Sequence, residues 1–153
     1  MADWDRRFID LADHIAQWSK DPSTKVGAVI TDDKNRIISV GYNGAPRGVN
    51  ETRANESREI KLLRTIHAEE NALHFANRDV TGCRMYVTYP PCAHCAAQII
   101  QRGIAGVVYC NDSPMMHRYL DRWLGNITEA GLMFSEAGVV VLSISRSLDA
   151  PDH

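Results

Sequence analysis

The sequence predicts an α/β fold of three layers, with helices on both faces of a mixed, mostly five-stranded sheet. Three observations carry this expectation. After Gly82 short β-branched runs alternate with helical stretches, which implies parallel strand pairing and right-handed crossovers. Before it, two β-branched runs are joined by a four-residue turn, the pattern of an antiparallel hairpin. With 153 residues, 44% hydrophobic and 24% charged, the chain is long enough for one ordinary core and too short for two, so a single domain spanning 1–153 is expected.

In chain order, Trp4, Phe8, Leu11, Ile15 and Trp18 recur at helical spacing, predicting an amphipathic helix from 3 to about 19 that Asp21-Pro22 ends and whose aromatic stripe enters the core. VGAVIT (26–31) and RIISVG (36–41), joined by DDKN, form the hairpin, and GYNGAPRGVN then breaks the pattern with three glycines and a proline. Residues 51–66 read as a charged loop with a helical portion, Ile60, Leu63 and Ile66 on one side, followed by the helix HAEENALHFA. Beyond Gly82 come the strand RMYVTY, the helix CAHCAAQIIQRG, the strand GVVYC, a mixed helical stretch from about 114 to 137 and the strand VVVLSI. The tail after Ser147 is expected to fray.

The formal charge of −2 argues against a polyanion-binding surface, so no nucleic-acid partner is expected, although local basic groups can still hold a small phosphate. No apolar run approaches the ~20 residues of a membrane span, and MADWDRRFID carries no signal-peptide core. A cytoplasmic protein without a membrane partner is expected. Cys83, Cys92, Cys95 and Cys110 are too few for a disulfide scaffold, and a reducing compartment favours metal or catalytic use.

YPPCAHCAAQII places Cys92 and Cys95 three residues apart behind Pro91, whose fixed φ suits the first turn of a helix opening at Cys92. Both sulfurs then share a face near the positive end of the helix dipole, which favours the metal-binding thiolate. Two thiolates do not complete a zinc site. His67, at a helix entry, is the candidate third ligand, and Glu69 two residues on can serve the same site only from that entry. Cys110, Cys83 or His94 could instead complete a structural zinc site, although His94 would face away from the thiols. Cys83 and Cys110 read by default as small core residues, and His14, His74, His117 and His153 as unremarkable.

His67-Ala68-Glu69 followed by Pro91-Cys92-Ala93-His94-Cys95 resembles the zinc-dependent cytidine deaminase superfamily, whose His-x-Glu and Pro-Cys-x-x-Cys signature it carries. Together SKDPSTKVGAVI, GYNGAPRG, HAEENAL, YPPCAHCAAQIIQRGI and GVVY are similar, in order and spacing, to the deoxycytidylate deaminase branch over roughly residues 3 to 145. The resemblance implies one Zn2+ per chain on His67, Cys92 and Cys95. Three ligands leave a fourth position for a water whose pKa falls to roughly 7, and Glu69, not a ligand, would move protons while dCMP is hydrolysed to dUMP and ammonia. It makes Ser23, Thr24 and Lys25 candidates for the substrate phosphate and Asn43 for the sugar. It further implies a nucleotide site at Gly41, Tyr42, Asn43 and Gly44 where dCTP activates and dTTP inhibits, Mg2+ only with those triphosphates, and a homo-oligomer, hexamer or dimer. Some relatives hold a second zinc through Cys and His before the His-Ala-Glu motif; residues 45–66 contain neither, so a single zinc is expected.

The rival in the same class is a tRNA adenosine deaminase, whose connection to the His-Ala-Glu motif is usually much shorter than the 23 residues separating Asn43 from His67. From another class comes a zinc-stabilised binding module, which has no use for Glu69.

Overall fold

Asp32 closes the turn that sets the sheet's first register. Its Oδ1 accepts the backbone N–H groups of Lys34 and Arg36, both at 2.9 Å, and its Oδ2 accepts the Arg36 Nε–H at 2.6 Å. The Arg36 N–H is the largest cause holding this carboxyl down at about 2. Asn35 takes the left-handed conformation, φ 59°, that such a turn needs and that asparagine tolerates. The strands it joins are β1 (Gly27–Thr31) and β2 (Ile37–Tyr42), paired antiparallel.

The computed structural model describes residues 3–146; the expectation for the tail after Ser147, His153 included, lies outside them. Around the hairpin the chain runs α1 (Asp3–Ala16), then α2 (Glu51–Ala54), α3 (Arg58–Arg64), α4 (Ala68–Phe75), β3 (Arg84–Val87), α5 (Ala93–Gln101), β4 (Gly106–Cys110), α6 (Met116–Ala137) and β5 (Val140–Ile144). The sheet order is β2-β1-β3-β4-β5. β3 is antiparallel to β1 and parallel to β4, which is parallel to β5. The mixed five-stranded sheet, antiparallel at the hairpin and parallel in the second half, is the expected one.

Two cores sit on its two faces. Phe8, Ile9 and Ala12 of α1 pack on Val29, Tyr86, Val108, Cys110 and Ile144. On the other face Ala68, Ala72 and Leu73 of α4, Cys95, Ala96 and Ile99 of α5, and Ala130 and Phe134 of α6 pack with Ala28, Ile30, Met85, Val87 and Val107. Close approach is built in. A Cβ on Gly27 would lie 1.9 Å from the Ala12 carbonyl oxygen, and one on Gly41 would lie 2.4 Å from the Ala72 nitrogen, so both helices reach the strands only because glycine is there.

The aromatic stripe of the first helix differs from expectation. The helix ends at Ala16, and its buried positions are Asp5, Phe8, Ile9, Ala12, Ile15 and Ala16, while Trp4 and Trp18 are 45% and 53% exposed. Small residues at 12 and 16 bring the backbone too near the strand for two indoles to share the interface. Trp4 instead stacks on Phe8, and Trp18 meets the Tyr42 ring edge-on. In the insertion between β2 and α4, α2 and α3 bury no residue and pack on each other but on no other helix or strand. Ile60 is half-buried, Ile66 bridges to Gly44, and Leu63 is 86% exposed, because no described element other than α2 packs on α3.

Candidate active site

The amino ends of α4 and α5 meet at one end of the sheet. His67 is the residue before α4, with an extended backbone (φ −73°, ψ 157°), and its N–H donates to Glu70 Oε1 at 3.1 Å. Cys92 occupies the same position before α5, one residue later than Pro91 alone suggested, and its Sγ accepts the Cys95 N–H at 3.5 Å. Glu70 Oε2 also accepts from Gln98 Nε2 of α5 at 3.1 Å, and His94 Nε2 stands 3.5 Å away, so one carboxylate fixes the two helix starts relative to each other. His94 points to Glu70 and not into the thiol pair, as its helical position implied.

This junction brings the expected side chains together. His67 Nδ1 lies 3.2 Å from Cys95 Sγ and 3.5 Å from Cys92 Sγ, and the three ligand atoms fall within 4.8 Å of one another. Zinc bound tetrahedrally at its usual distances to nitrogen and sulfur holds such atoms ~3.5 Å apart. The donor set therefore fits the ion in type and spacing. The electrostatics agree. The hydrogen bond from Cys95 is the largest cause drawing Cys92 down to about 4, while Cys95 is pushed up by that same bond and by burial. Two sulfurs this close ionise together only beside a cation. The hydrogen bond to Cys92 likewise lifts His67 to about 9. The positive ends of two helix dipoles add to the preference for anionic ligands.

Glu69, the second residue of α4, is buried beside this triad, and burial raises its carboxyl to about 7. No other described residue hydrogen-bonds to it. Glu69 and His67 line a cavity of about 310 Å³, to which α3 and α6 also contribute lining residues. Trp123 meets His67 edge-on at 6.1 Å, and Tyr119, whose hydroxyl donates to the Pro90 carbonyl at 2.8 Å, continues this aromatic wall.

Ser23, Thr24 and Asn43 line the same cavity, and Lys25 does not; its side chain is exposed. Asn43 is engaged by the loop beside it. Its Oδ1 accepts the Val26 N–H at 2.9 Å, and its Nδ2 donates to the Thr24 carbonyl at 2.9 Å and to Asp21 Oδ2 at 3.3 Å. Gly41 is packed against α4, Tyr42 is exposed with its carbonyl accepting from Asn71, and Gly44 pairs with Ile66. Sequence reasoning missed Asp21, whose Oδ1 accepts the Ser23 and Thr24 N–H groups at 2.7 and 3.0 Å and the Lys61 ammonium at 2.7 Å. The Asp-Pro start of that loop was a visible turn signal; its partner Lys61 was not. Arg58, Lys61, Tyr119, Arg122 and Trp123 are further lining residues that no local motif announces.

A family model described as the cytidine and deoxycytidylate deaminase zinc-binding region matches residues 2–111. The chain belongs to that family. It is 52% identical to an uncharacterised deaminase from the luxG 3′ region of Aliivibrio fischeri, over 90% of this chain and 91% of that one. The human deoxycytidylate deaminase is 39% identical over 144 residues, 90% of this chain and 77% of its own. Among solved structures, the dCMP deaminase of cyanophage S-TIM5 in apo form superposes with a TM-score of 0.72 at 22% identity, covering 94% of this chain and 99% of that one, and confirms the fold. As a member of this family the protein is a zinc-binding deaminase, a hydrolase. No helix among its described residues is long and apolar enough to cross a membrane.

Proposed function

We propose that this deaminase, acting as a single domain, hydrolyses dCMP to dUMP and ammonia. The observation that carries the reading is the meeting of His67, Cys92 and Cys95 beside a buried Glu69, with His67 and Glu69 lining a nucleotide-sized cavity. His67 Nδ1 and the two thiolates would hold one zinc, whose charge makes water a nucleophile near neutral pH. Glu69 takes the proton of the water that attacks C4 of the cytosine ring and delivers it to N3. It then takes the remaining proton from the new C4 hydroxyl and gives it to the amine as the C4–N4 bond breaks, so that ammonia leaves, the C4 oxygen becomes the uracil carbonyl and the carboxylate ends as it began. Its raised carboxyl suits a group that must both accept and give a proton near neutrality. With no hydrogen bond from another described residue, it can turn to the ring.

Asn43 has both amide hydrogens committed and one Oδ1 lone pair left, so it accepts from a sugar hydroxyl while holding Ser23 and Thr24 in place. Lys25, exposed and off the lining, has no part in this reading. The relatives' names support dCMP as the substrate, and the length of the insertion before His67 supports it over tRNA. The further reading is a cytoplasmic homo-oligomer, dimer or hexamer, in which Mg-dCTP activates and Mg-dTTP inhibits through the segment Gly41 to Gly44. The four free cysteines agree with a reducing compartment.

The test is ammonia release from dCMP, dCTP, deoxycytidine, CMP and adenosine-containing tRNA by the zinc-loaded protein. The expected result is fastest turnover with dCMP and none with tRNA; preference for any other member of the panel replaces dCMP in the assignment.

A further inference from the structure

Four cations line the cavity besides the residues at its floor: Arg58 and Lys61 of α3, and Arg118 and Arg122 of α6. Lys61 is neutralised by Asp21, an ion pair with side chains 21% and 8% exposed. Arg58, Arg118 and Arg122 have no hydrogen-bond or ion-pair partner among the described residues. Arg118 and Arg122, four apart, share a face of α6, and Arg58 stands on α3, which lines the same cavity. The chain's charge is −2, yet three unpaired guanidiniums line one concavity. Like charges gathered this way repel one another until an anion comes between them.

The element carrying Arg58 is held loosely. α2 and α3 bury nothing and pack on no other helix or strand, and still they give Ala54, Asn55, Ser57 and Leu62 to the lining, as well as Arg58 and Lys61. What ties them to the body is the Lys61–Asp21 pair, an exposed Lys20–Glu51 pair at 3.4 Å and the Gly44–Ile66 bridge at their base. Such a segment belongs to the low-stability end of a structure and is easily shifted by a ligand that bridges it to a firmer element.

We propose that Arg58, Arg118 and Arg122 form the clamp for the substrate's 5′-phosphate, and that the phosphate, by joining α3 to α6, draws the insertion down over the bound nucleotide. The insertion thereby reads whether a substrate is phosphorylated. This rests on the deaminase reading above and adds the residues that set the nucleotide apart from the nucleoside. The loop at Ser23 and Thr24 offers only hydroxyls, its N–H groups being committed to Asp21, so the positive charge comes from across the cavity.

Each guanidinium–phosphate contact is a charge-assisted bond, and losing one weakens binding by ~10–150-fold. The zinc-loaded protein and its Arg58→Ala and Arg122→Ala variants are titrated with the product dUMP and with deoxyuridine by calorimetry. Hydrogen exchange of the α3 amides is followed with each ligand. In the parent, dUMP slows α3 exchange and deoxyuridine does not. In either variant dUMP binding weakens about 10–150-fold more than deoxyuridine binding, and the α3 protection is lost. Equal weakening for both ligands, unchanged dUMP affinity, or α3 protection by deoxyuridine equal to that by dUMP overturns the clamp. Both substitutions are at exposed side chains that pack on no core, so the variants fold. A parent that releases no ammonia from dCMP sinks the deaminase reading instead, which the binding data do not touch.

Discussion

At the scale of single residues, the chemistry depends on side chains whose neighbours leave them one thing to do. Cys92 is both the first turn's cap and a sulfur held within 3.5 Å of His67 Nδ1. Cys92→Ala is expected to bring zinc content from about one ion per chain to near none, with turnover lost alongside it; elemental analysis after dialysis checks this, and a variant that keeps its zinc contradicts the ligand set. His67, Glu69, Cys92 and Cys95 were legible because each pair is local in sequence and each pair sits at the start of a helix, where a signature survives translation into space. Asp21 and Lys61 were not legible, being forty residues apart and on segments with no periodic pattern. The same holds for Arg58 of α3 and Arg122 of α6, which share only the cavity. Lys25 illustrates the converse: a cation next to two hydroxyls reads as one cluster, but its side chain is exposed and off the cavity that Ser23 and Thr24 line.

At the scale of elements, the hairpin turn is where pH reaches the fold. Asp32 accepts three hydrogen bonds that only its carboxylate can take together, and its carboxyl sits at about 2 against an ordinary 3.8. A depressed carboxyl contributes stability that is present in full above about 3.8 and fades as pH falls through about 2. Asp32→Ala is therefore expected to melt below the parent at pH 7, with the gap closing as pH drops from about 4 to about 2. Thermal melts of both proteins across that range decide it, and a gap independent of pH assigns the loss to something other than the carboxylate. Strand order and helix existence were readable because β-branched runs and helical spacing are strong local signals. The fate of Trp4 and Trp18 was not, since a period names a helix face and only the contact with β1, through Gly27, says how close that face comes.

At the scale of the whole molecule, one apolar region has no cover among the described residues. α1 lies over β1 to β4, and on its side of the sheet Ile144 joins the core while Val140 and Leu142 of β5 are 71% and 41% exposed. Leu124 and Leu132 of α6 are exposed as well. An edge strand this apolar is a pairing surface unless something covers it, which supports the homo-oligomer in the proposed function. Light scattering is expected to give a multiple of the 17.1 kDa chain, and Leu142→Lys to shift it towards the monomer. A monomeric parent contradicts the oligomer. In the oligomer, dCMP saturation curves are expected to shift with Mg-dCTP and oppositely with Mg-dTTP, by about 5–150-fold in affinity for a coupling of typical size. Curves unmoved by either remove regulation and leave the deaminase standing.

The proposed function rests on Glu69 moving the protons of a hydrolysis for which His67, Cys92 and Cys95 would hold the metal. The direct measurement is dCMP turnover by Glu69→Gln, with zinc content determined on the same sample. Glutamine matches the shape of Glu69 and cannot shuttle a proton, so zinc is expected to stay near that of the parent while turnover falls by about 10²–10⁴-fold. A zinc-loaded Glu69→Gln protein that converts dCMP to dUMP at the parental rate contradicts the account.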